Sequence, residues 1–196
     1  LKKVKFEKKP RNTEWKKIPR TDYTIGLASI EEMIHKVKEK PWPIYKIKLG
    51  NEHDLEIIAA LRKQTEASFR VDVNGGWTLA EARKKIPHLK ALGVELVEQP
   101  LPKEAWTEMK KLFAESSLPL YADESCVTEE DVQKCENHFH GINIKLTKCS
   151  GITPALRMVQ HAKRLNLKVM IGSMNESVIG SAAAAHFLPQ IYAADI

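Results

Sequence analysis

Six charged residues recur along this chain at or near the ends of short runs rich in β-branched residues. They are Lys46, Lys48, Asp72, Glu98, Asp123 and Lys145. From Lys48 onward, successive members of the set lie 22 to 26 residues apart, a spacing typical of one strand and one helix. Equivalent positions on successive parallel strands lie at one rim of a barrel, so we expect these side chains to surround one site.

Three of these residues, Asp72, Glu98 and Asp123, are carboxylates on neighbouring runs, with no His or Cys among them. Ligand sets made only of oxygen atoms are preferred by hard cations, above all by Mg²⁺. Without a cation the carboxylates would repel one another, at a cost that grows with burial. The pattern therefore predicts one Mg²⁺ ion held by these three side chains.

Lys48 and Lys145 lie on the second and the sixth run. In a ring of eight strands these positions are opposite, so the two ammonium groups are expected to face each other across the site. A lysine must be neutral to act as a base, and both Lys46 and the cation would lower its pKa. Two bases on opposite sides suit removal and return of a proton α to a carboxylate, through an enediolate. The arrangement predicts a racemase or epimerase.

Strand-like and helix-like segments alternate from residue 21 onward. The strand-like runs are residues 22–27, 44–50, 69–74, 94–100, 119–125, 142–148, 167–173 and 191–196. The helix-like stretches include residues 29–39, 54–66, 79–92 and 128–137. Ser29 with Glu32, and Thr128 with Asp131, are predicted to cap two of the helices. The alanine run 182–185 is expected to be a helix interior packed against the sheet.

Eight strands that alternate with helices predict a parallel sheet with right-handed crossovers. An open nucleotide-binding sheet would carry a Gly-rich turn after its first strand, and residues 25–32 contain no such turn. We therefore predict an α/β fold with a (β/α)7β barrel of the TIM type over residues 21–196. Such barrels usually run to about 250 residues, so the chain is expected to be a fragment of a longer protein.

The composition excludes several classes of protein. Of the 196 residues, 43% are hydrophobic and 29% are charged, which is too apolar for a disordered chain. No window approaches the roughly 18 uninterrupted apolar residues of a membrane span, and we expect no signal segment at the start of the chain. The three cysteines, Cys126, Cys135 and Cys149, form no C-x-x-C pair. They are expected to be reduced thiols in a cytoplasmic protein.

The net charge of +6 is concentrated at one end of the chain. Residues 1–20 hold nine Lys and Arg against two Glu, whereas the other 176 residues hold 22 basic and 23 acidic groups. A domain that binds nucleic acid would need a basic face on its folded part. We therefore expect neither nucleic acid nor a membrane as a partner.

In their order and spacing, these motifs resemble the enolase superfamily in its muconate-lactonizing subgroup, and most closely the dipeptide epimerases. The matching motifs are KIKLG (46–50), DVNGGW (72–77), VEQPL (97–101), ADES (122–125), NIKLTK (143–148), GSMNES (172–177) and AAAAHF (182–187). The resemblance implies an isomerase that epimerises a dipeptide with Mg²⁺, usually L-Ala-D/L-Glu from cell-wall peptides. It implies Lys48 and Lys145 as the acid and base.

The resemblance also implies roles for further residues. It implies Asp72, Glu98 and Asp123 as the Mg²⁺ ligands. The implied substrate-binding residues are Thr24, Lys46, Ser173, Asn175 and Asp195. Asp195 would meet the free α-ammonium group of the dipeptide. The expected partner is therefore a small molecule, the dipeptide substrate. A homo-oligomer is also possible.

The chain departs from the pattern of the family in three places. An α+β capping domain precedes the barrel in the family and is largely absent here, with residues 1–20 as a candidate remnant. The eighth strand of the family usually carries two acidic residues around one spacer, and this chain ends after Asp195. Ser150 stands where glycine is common.

Three other interpretations stay open at the level of sequence. A cycloisomerase or an o-succinylbenzoate synthase of the same subgroup would use the same lysines and metal. A Schiff-base aldolase would use Lys145 as its nucleophile, with Gly172 and Ser173 helping to bind phosphate, but it leaves the three carboxylates unexplained. A barrel used only for binding is the third alternative.

Overall fold

The computed structural model describes residues 18–196. Residues 1–17 lie outside the described part, so the interpretation of residues 1–20 as a remnant of a capping domain stays a prediction. Strands and helices alternate through the described residues, which begin and end with a strand.

The elements found within residues 18–196 follow the predicted order. The strands are β1 (Tyr23–Ile25), β2 (Ile44–Lys48), β3 (Ser68–Asp72), β4 (Val94–Glu98), β5 (Leu120–Ala122), β6 (Gly141–Lys145), β7 (Lys168–Gly172) and β8 (Ala193–Asp195). The α-helices are α1 (Ile30–Glu39), α2 (Asp54–Arg62), α3 (Leu79–Ala91), α4 (Trp106–Glu115), α5 (Glu129–Cys135), α6 (Ile152–Arg164) and α7 (Val178–Ala185). A short 3-10 helix, Leu188–Gln190, precedes β8.

The eight strands are parallel and pair in chain order from β1 to β8. Residues just before β1 then pair with β8. Thr21 forms a parallel bridge with Ala194, and the amide of Asp22 donates to the Ala194 carbonyl oxygen at 3.1 Å. The Thr21 hydroxyl also donates to the Ile196 carbonyl oxygen at 2.9 Å. These contacts bring the two edges of the sheet together, and the predicted (β/α)7β barrel is confirmed.

Side chains alternate between the helix layer and the barrel interior along each strand. Helix-facing residues on β2 and β3 belong to the large hydrophobic core, namely Tyr45, Ile47, Phe69 and Val71. The interior contains a small apolar cluster, namely Leu96, Tyr121, Met170 and Ala193. Two residues after Leu96, Tyr121 and Ala193, the chain again faces the interior, and these positions are occupied by Glu98, Asp123 and Asp195. The polar site therefore lies above this apolar cluster, at the carboxyl ends of the strands.

Both predicted capping pairs are confirmed. Ser29 with Glu32, and Thr128 with Asp131, form reciprocal capping boxes at the starts of α1 and α5. Helix α2 ends at Arg62 instead of continuing to residue 66, because the Arg62 guanidinium group donates to carbonyl oxygens of the segment that follows.

Helix α7 packs less closely against the sheet than its composition predicts. Of the alanine run 182–185, only Ala184 is fully buried, and Ala182 is exposed. The expectation of a packed helix interior therefore holds for Ala183 and Ala184, which pack against the core, and is wrong for Ala182. A single stripe of an eight-residue helix faces the sheet, and Val178 and Ile179 on its first turn are more than four-fifths exposed.

No helix within residues 18–196 combines the length and the hydropathy that a membrane crossing requires. All three cysteines of the chain lie in the described part, and all are buried and free of disulfide bonds.

Candidate active site

A polar cavity of about 480 Å³ opens at the carboxyl ends of the strands. Eight of the ten predicted site residues line it: Thr24, Lys46, Lys48, Asp123, Lys145, Ser173, Asn175 and Asp195. The other two, Asp72 and Glu98, do not line the cavity and are 0% and 1% exposed; their contacts with Lys46 connect them to it. The ends of the strands thus bring all ten residues to one region.

Lys46 forms the centre of the charge network. Its Nζ atom lies 2.7 Å from Asp195 Oδ2, 2.8 Å from Glu98 Oε2 and 3.0 Å from Asp72 Oδ2. Burial by itself lowers the pKa of Lys46, but the three carboxylates outweigh this effect and raise the pKa well above its usual value. Lys46 therefore stays charged, and it joins β2 to β3, β4 and β8 across the interior.

Lys48 lies two residues after Lys46 and points to the same face, as predicted. Its Nζ atom donates to Asp72 Oδ2 at 2.7 Å and to Asn74 Oδ1 at 2.9 Å. The Asn74 amide nitrogen donates in turn to Glu124 Oε1 at 3.1 Å. Because the side chain of Lys48 is 32% exposed, a ligand in the cavity can reach its amine.

Lys145 lies on β6, four strands away from Lys48 in the ring. Its Nζ atom donates to Asp123 Oδ2 at 2.6 Å, while Lys148 donates to the other oxygen at 2.9 Å. Burial disfavours the charged form of Lys145, but the contact with Asp123 dominates and raises the pKa above its usual value. The lowering expected for a lysine base depends on Lys46 and on the cation; Lys46 does act to lower the pKa of Lys145, and the effect of the cation stays a prediction.

The carboxylates lie close enough together to affect one another. Burial raises the pKa of Glu98 to about 7, Lys46 opposes this, and the charges of Asp72 and Asp123 add to it. Burial also disfavours the charged form of Asp72, but Lys46 and Lys48 hold its pKa below the usual value. Negative charge in this part of the barrel therefore depends on neighbouring cations.

The donor set suits a hard divalent cation, because the carboxylates are buried, repel one another and adjoin a polar cavity. Within residues 18–196, however, no three His, Cys, Asp or Glu side chains converge in a metal-binding arrangement. Each of the three carboxylates instead contacts a lysine ammonium group. A divalent cation would compete with these ammonium groups for the carboxylate oxygens.

The remaining predicted residues lie where β7, β8 and β1 meet. The Thr24 hydroxyl donates to Asp195 Oδ1 at 3.3 Å, and the Ser173 amide donates to the Asp195 carbonyl oxygen at 2.9 Å. Burial opposes ionisation of Asp195, but Lys46 outweighs it and holds the pKa of Asp195 below its usual value. Asn175 lines the cavity beside them. Asp195 is therefore an anionic group on the wall formed by β8.

Three buried polar residues of the interior were not predicted from the sequence. They are Asp22, Arg70 and Asn143, with exposures of 6%, 6% and 1%. The Asn143 amide nitrogen donates to Glu98 Oε1 at 2.8 Å. Each of the three precedes a predicted site residue by two positions, so the alternation of faces along a strand was the signal that could have found them.

Comparison with known proteins identifies relatives of this chain. The family model described as Enolase C-terminal domain-like matches residues 29–195. The L-Ala-D/L-amino acid epimerase of Flavobacterium johnsoniae is 55% identical over 173 residues, which cover 88% of this chain and 52% of that protein. A protein of the same name from a Maribacter strain is 56% identical over 173 residues, with 88% and 51% covered.

A solved structure shows the same fold. The dipeptide epimerase of Enterococcus faecalis V583, complexed with Mg and the dipeptide L-Leu-L-Tyr, is 34% identical and superposes with a TM-score of 0.86. The match covers 91% of this chain and 54% of that one. The chain thus spans about half the length of the relatives that it matches. It belongs to the enolase C-terminal domain-like family.

Proposed function

We propose that this chain is the catalytic barrel of an isomerase that epimerises a dipeptide of the L-Ala-D/L-Glu type with Mg²⁺. The observation that carries the proposal is the position of Lys48 and Lys145, which come from strands four steps apart and line one cavity. The buried carboxylates Asp72 and Asp123 contact Lys48 and Lys145 respectively, and the buried Glu98 contacts Lys46. The names of the Flavobacterium and Maribacter relatives support the same reaction.

Lys48 and Lys145 are assigned as the acid and the base. A substrate α-carbon between them would present its proton to one amine and its opposite face to the other. One lysine accepts the proton as a neutral amine, and the other returns a proton from its ammonium form, which inverts the carbon. Lys145 acts as a base only after it loses a proton, and separation from Asp123 would favour this because Asp123 raises its pKa.

Asp72, Glu98 and Asp123 would hold the Mg²⁺ ion. When bound, the ion stabilises the negative charge that develops on the substrate carboxylate during proton removal. Lys46, which contacts both Asp72 and Glu98, adds a fixed positive charge at the same place and is assigned to bind that carboxylate. The Mg reported with the Enterococcus enzyme supports this assignment.

The free α-ammonium group of the dipeptide is assigned to Asp195. This side chain is anionic, and Thr24 donates to one of its oxygens. Ser173 and Asn175 line the cavity on the same side and are assigned to contact the body of the dipeptide. An anionic acceptor at this end favours substrates that carry an amine.

The alternatives receive less support. Asp195 would meet no substrate amine in a cycloisomerase or an o-succinylbenzoate synthase whose substrate lacks one. An aldolase would use Lys145 as its nucleophile and would leave the buried carboxylates Asp72, Glu98 and Asp123 without a role. A barrel used only for binding would not require two lysines beside three buried carboxylates.

The proposed setting is the cytoplasm, which the buried thiols without disulfide bonds support. A dipeptide is the proposed partner.

The test is deuterium incorporation. The protein is incubated in D₂O with L-Ala-L-Glu and with a panel of other dipeptides, with Mg²⁺ or with EDTA. We expect deuterium at the α-carbon of the C-terminal residue, formation of the epimer, loss of both in EDTA and recovery when Mg²⁺ is restored. No metal-dependent incorporation across the panel would falsify the proposal. Trapping of a carbonyl substrate on Lys145 by borohydride would favour the aldolase.

A further inference from the structure

Beneath the end of the cavity assigned to the amine, two buried charged residues converge on β8. Arg70 Nη1 lies 2.9 Å from Asp22 Oδ2, and the two side chains are 7% and 0% exposed. The same Nη1 donates to the Ala194 carbonyl oxygen at 3.1 Å, and the amide of Asp22 donates to that oxygen at the same distance. Arg70 and Asp22 therefore both bind the backbone of Ala194, the residue immediately before Asp195.

The second carboxylate oxygen of Asp22 points to a specific role. Asp22 Oδ1 is buried and has no hydrogen-bond partner among residues 18–196. Burial and the neighbouring Asp195 raise the pKa of Asp22 to about 8, although Arg70 opposes the effect. A proton on Asp22 at neutral pH would satisfy the buried oxygen and would be donated to Asp195.

Asp195 would then be oriented from three sides. Lys46 donates to its Oδ2 atom at 2.7 Å and Thr24 to its Oδ1 atom at 3.3 Å, and Asp22 neighbours it. These neighbours therefore set the orientation of the Asp195 carboxylate, and with it the direction of the lone pairs that remain free to accept a hydrogen bond.

The surroundings argue against a purely structural ion pair. Apart from Asn143, the rest of the barrel floor is formed by Leu96, Tyr121, Met170 and Ala193. Replacing a buried ion pair by well-packed apolar side chains is often neutral or stabilising, so filling the barrel does not require charges here. The charged part of the floor lies on the side of Asp195.

We propose that Asp22, held in place by Arg70, is a positioning residue that orients Asp195 toward the α-ammonium group and thereby sets a preference for dipeptides with a free amine over N-acylated ones. This inference rests on the proposed function, which assigns the ammonium group to Asp195. Neither Asp22 nor Arg70 lines the cavity, so both act through Asp195.

The test measures binding of L-Ala-L-Glu and of N-acetyl-L-Ala-L-Glu by titration calorimetry in the presence of Mg²⁺. Wild-type protein should prefer the free amine. Asp22→Ala should reduce this preference about tenfold, the effect of one lost hydrogen bond to a charged group, with unchanged affinity for the acetylated ligand. Asp22→Asn should retain the preference, because its amide can accept from Arg70 and donate to Asp195 as a protonated carboxyl group does.

Asp54→Asn is the matched control, because Asp54 is also fully buried and pairs with Lys85 at 2.8 Å. It should lower the unfolding temperature without changing the preference. If Asp22→Ala does not fold, Arg70→Met replaces it, with the same expected loss.

Two results would overturn the inference while the proposed function stands: a folded Asp22→Ala or Arg70→Met protein with the wild-type preference, or a folded Asp22→Asn protein without it. A wild-type protein that binds both ligands equally would instead contradict the assignment of Asp195 within the proposed function.

Discussion

Lys48 and Lys145 each donate to a different buried carboxylate, Asp72 and Asp123 respectively. Both side chains end in the cavity, so shortening either one removes an amine without opening a hole in the hydrophobic core. The two lysines can therefore be tested one at a time.

We expect Lys48→Ala and Lys145→Ala each to lower the rate of epimerisation by at least about 10²-fold, the usual contribution of a general acid or base. Each variant should still exchange the α-proton of one stereoisomer, because the remaining lysine faces one side of the carbon. Proton NMR of L-Ala-L-Glu and L-Ala-D-Glu in D₂O measures both effects.

Lys168→Ala is the control for these variants, because Lys168 begins β7 at the opposite end of the barrel, with Nζ 4.1 Å from the centre of the Tyr192 ring. It should keep full activity. Exchange of both stereoisomers at the wild-type rate by either active-site variant would contradict the assignment of two opposed bases.

Asn143 is expected to act on the proposed Mg²⁺ site through Glu98. Its amide donates to Glu98 Oε1, while Lys46 contacts Oε2, so the two oxygens have separate partners. Asn143→Ala should weaken Mg²⁺ binding by about 10- to 100-fold, as loss of a residue that orients a metal ligand commonly does. Calorimetric titration with Mg²⁺ measures the change, and Gln133→Ala, an exposed amide on α5, is the control. An unchanged Mg²⁺ affinity would show that Glu98 is oriented without Asn143.

Among the elements, β5, β6 and β7 approach one another where Gly141 begins β6. A methyl group on Gly141 would lie 2.5 Å from Tyr121 Cε1 and 2.8 Å from the Lys168 carbonyl oxygen. The Lys168 oxygen belongs to the backbone of the paired strand, so it cannot move aside without disturbing the sheet. Gly141 is therefore required by the packing of the barrel interior.

Gly141→Ala should lower the free energy of unfolding by about 1–3 kcal/mol, the usual cost of overpacking a core. Gly26→Ala is the matched control, because a methyl group there meets nothing within 4 Å, and it should change stability by no more than about 0.5 kcal/mol. Urea denaturation measures both. Equal stabilities of the two variants would mean that the interior adapts to the added methyl group.

Sequence predicted the starts of helices better than their ends. The capping boxes of Ser29 and Thr128 depend on side chains three residues away, which the sequence displays directly. The end of α2 depends partly on Arg62, whose guanidinium group also donates to the carbonyl oxygen of Leu92, 30 residues further along the chain. A contact of that kind is not visible in local periodicity.

In the whole molecule, closure of the barrel buries Asp22 and raises its pKa from 3.8 to about 8. A carboxyl group whose pKa is raised on folding contributes stability below its unfolded pKa, and this contribution is lost as the pH rises through the folded pKa. The protein therefore loses this stability as the pH rises from 3.8 to about 8.

Asp22→Asn removes this titration. The free energy of unfolding of the variant should therefore rise relative to the wild type as the pH increases through this window, by at most about 1.4 kcal/mol per pH unit. Denaturant unfolding of both proteins at a series of pH values measures the difference. Parallel stability profiles would show that Asp22 ionises normally in the folded protein.

The sequence by itself determined the order of strands and helices, the rim on which the charged groups lie and the inward face of each strand. These follow from spacing and from the alternation of side chains, which are local properties of the chain. Only the tertiary structure decided which cation meets which anion. Lys46 meets Asp195 across 149 residues and Arg70 meets Asp22 across 48, and such pairs exist only because closing the sheet brings distant strands to face one another.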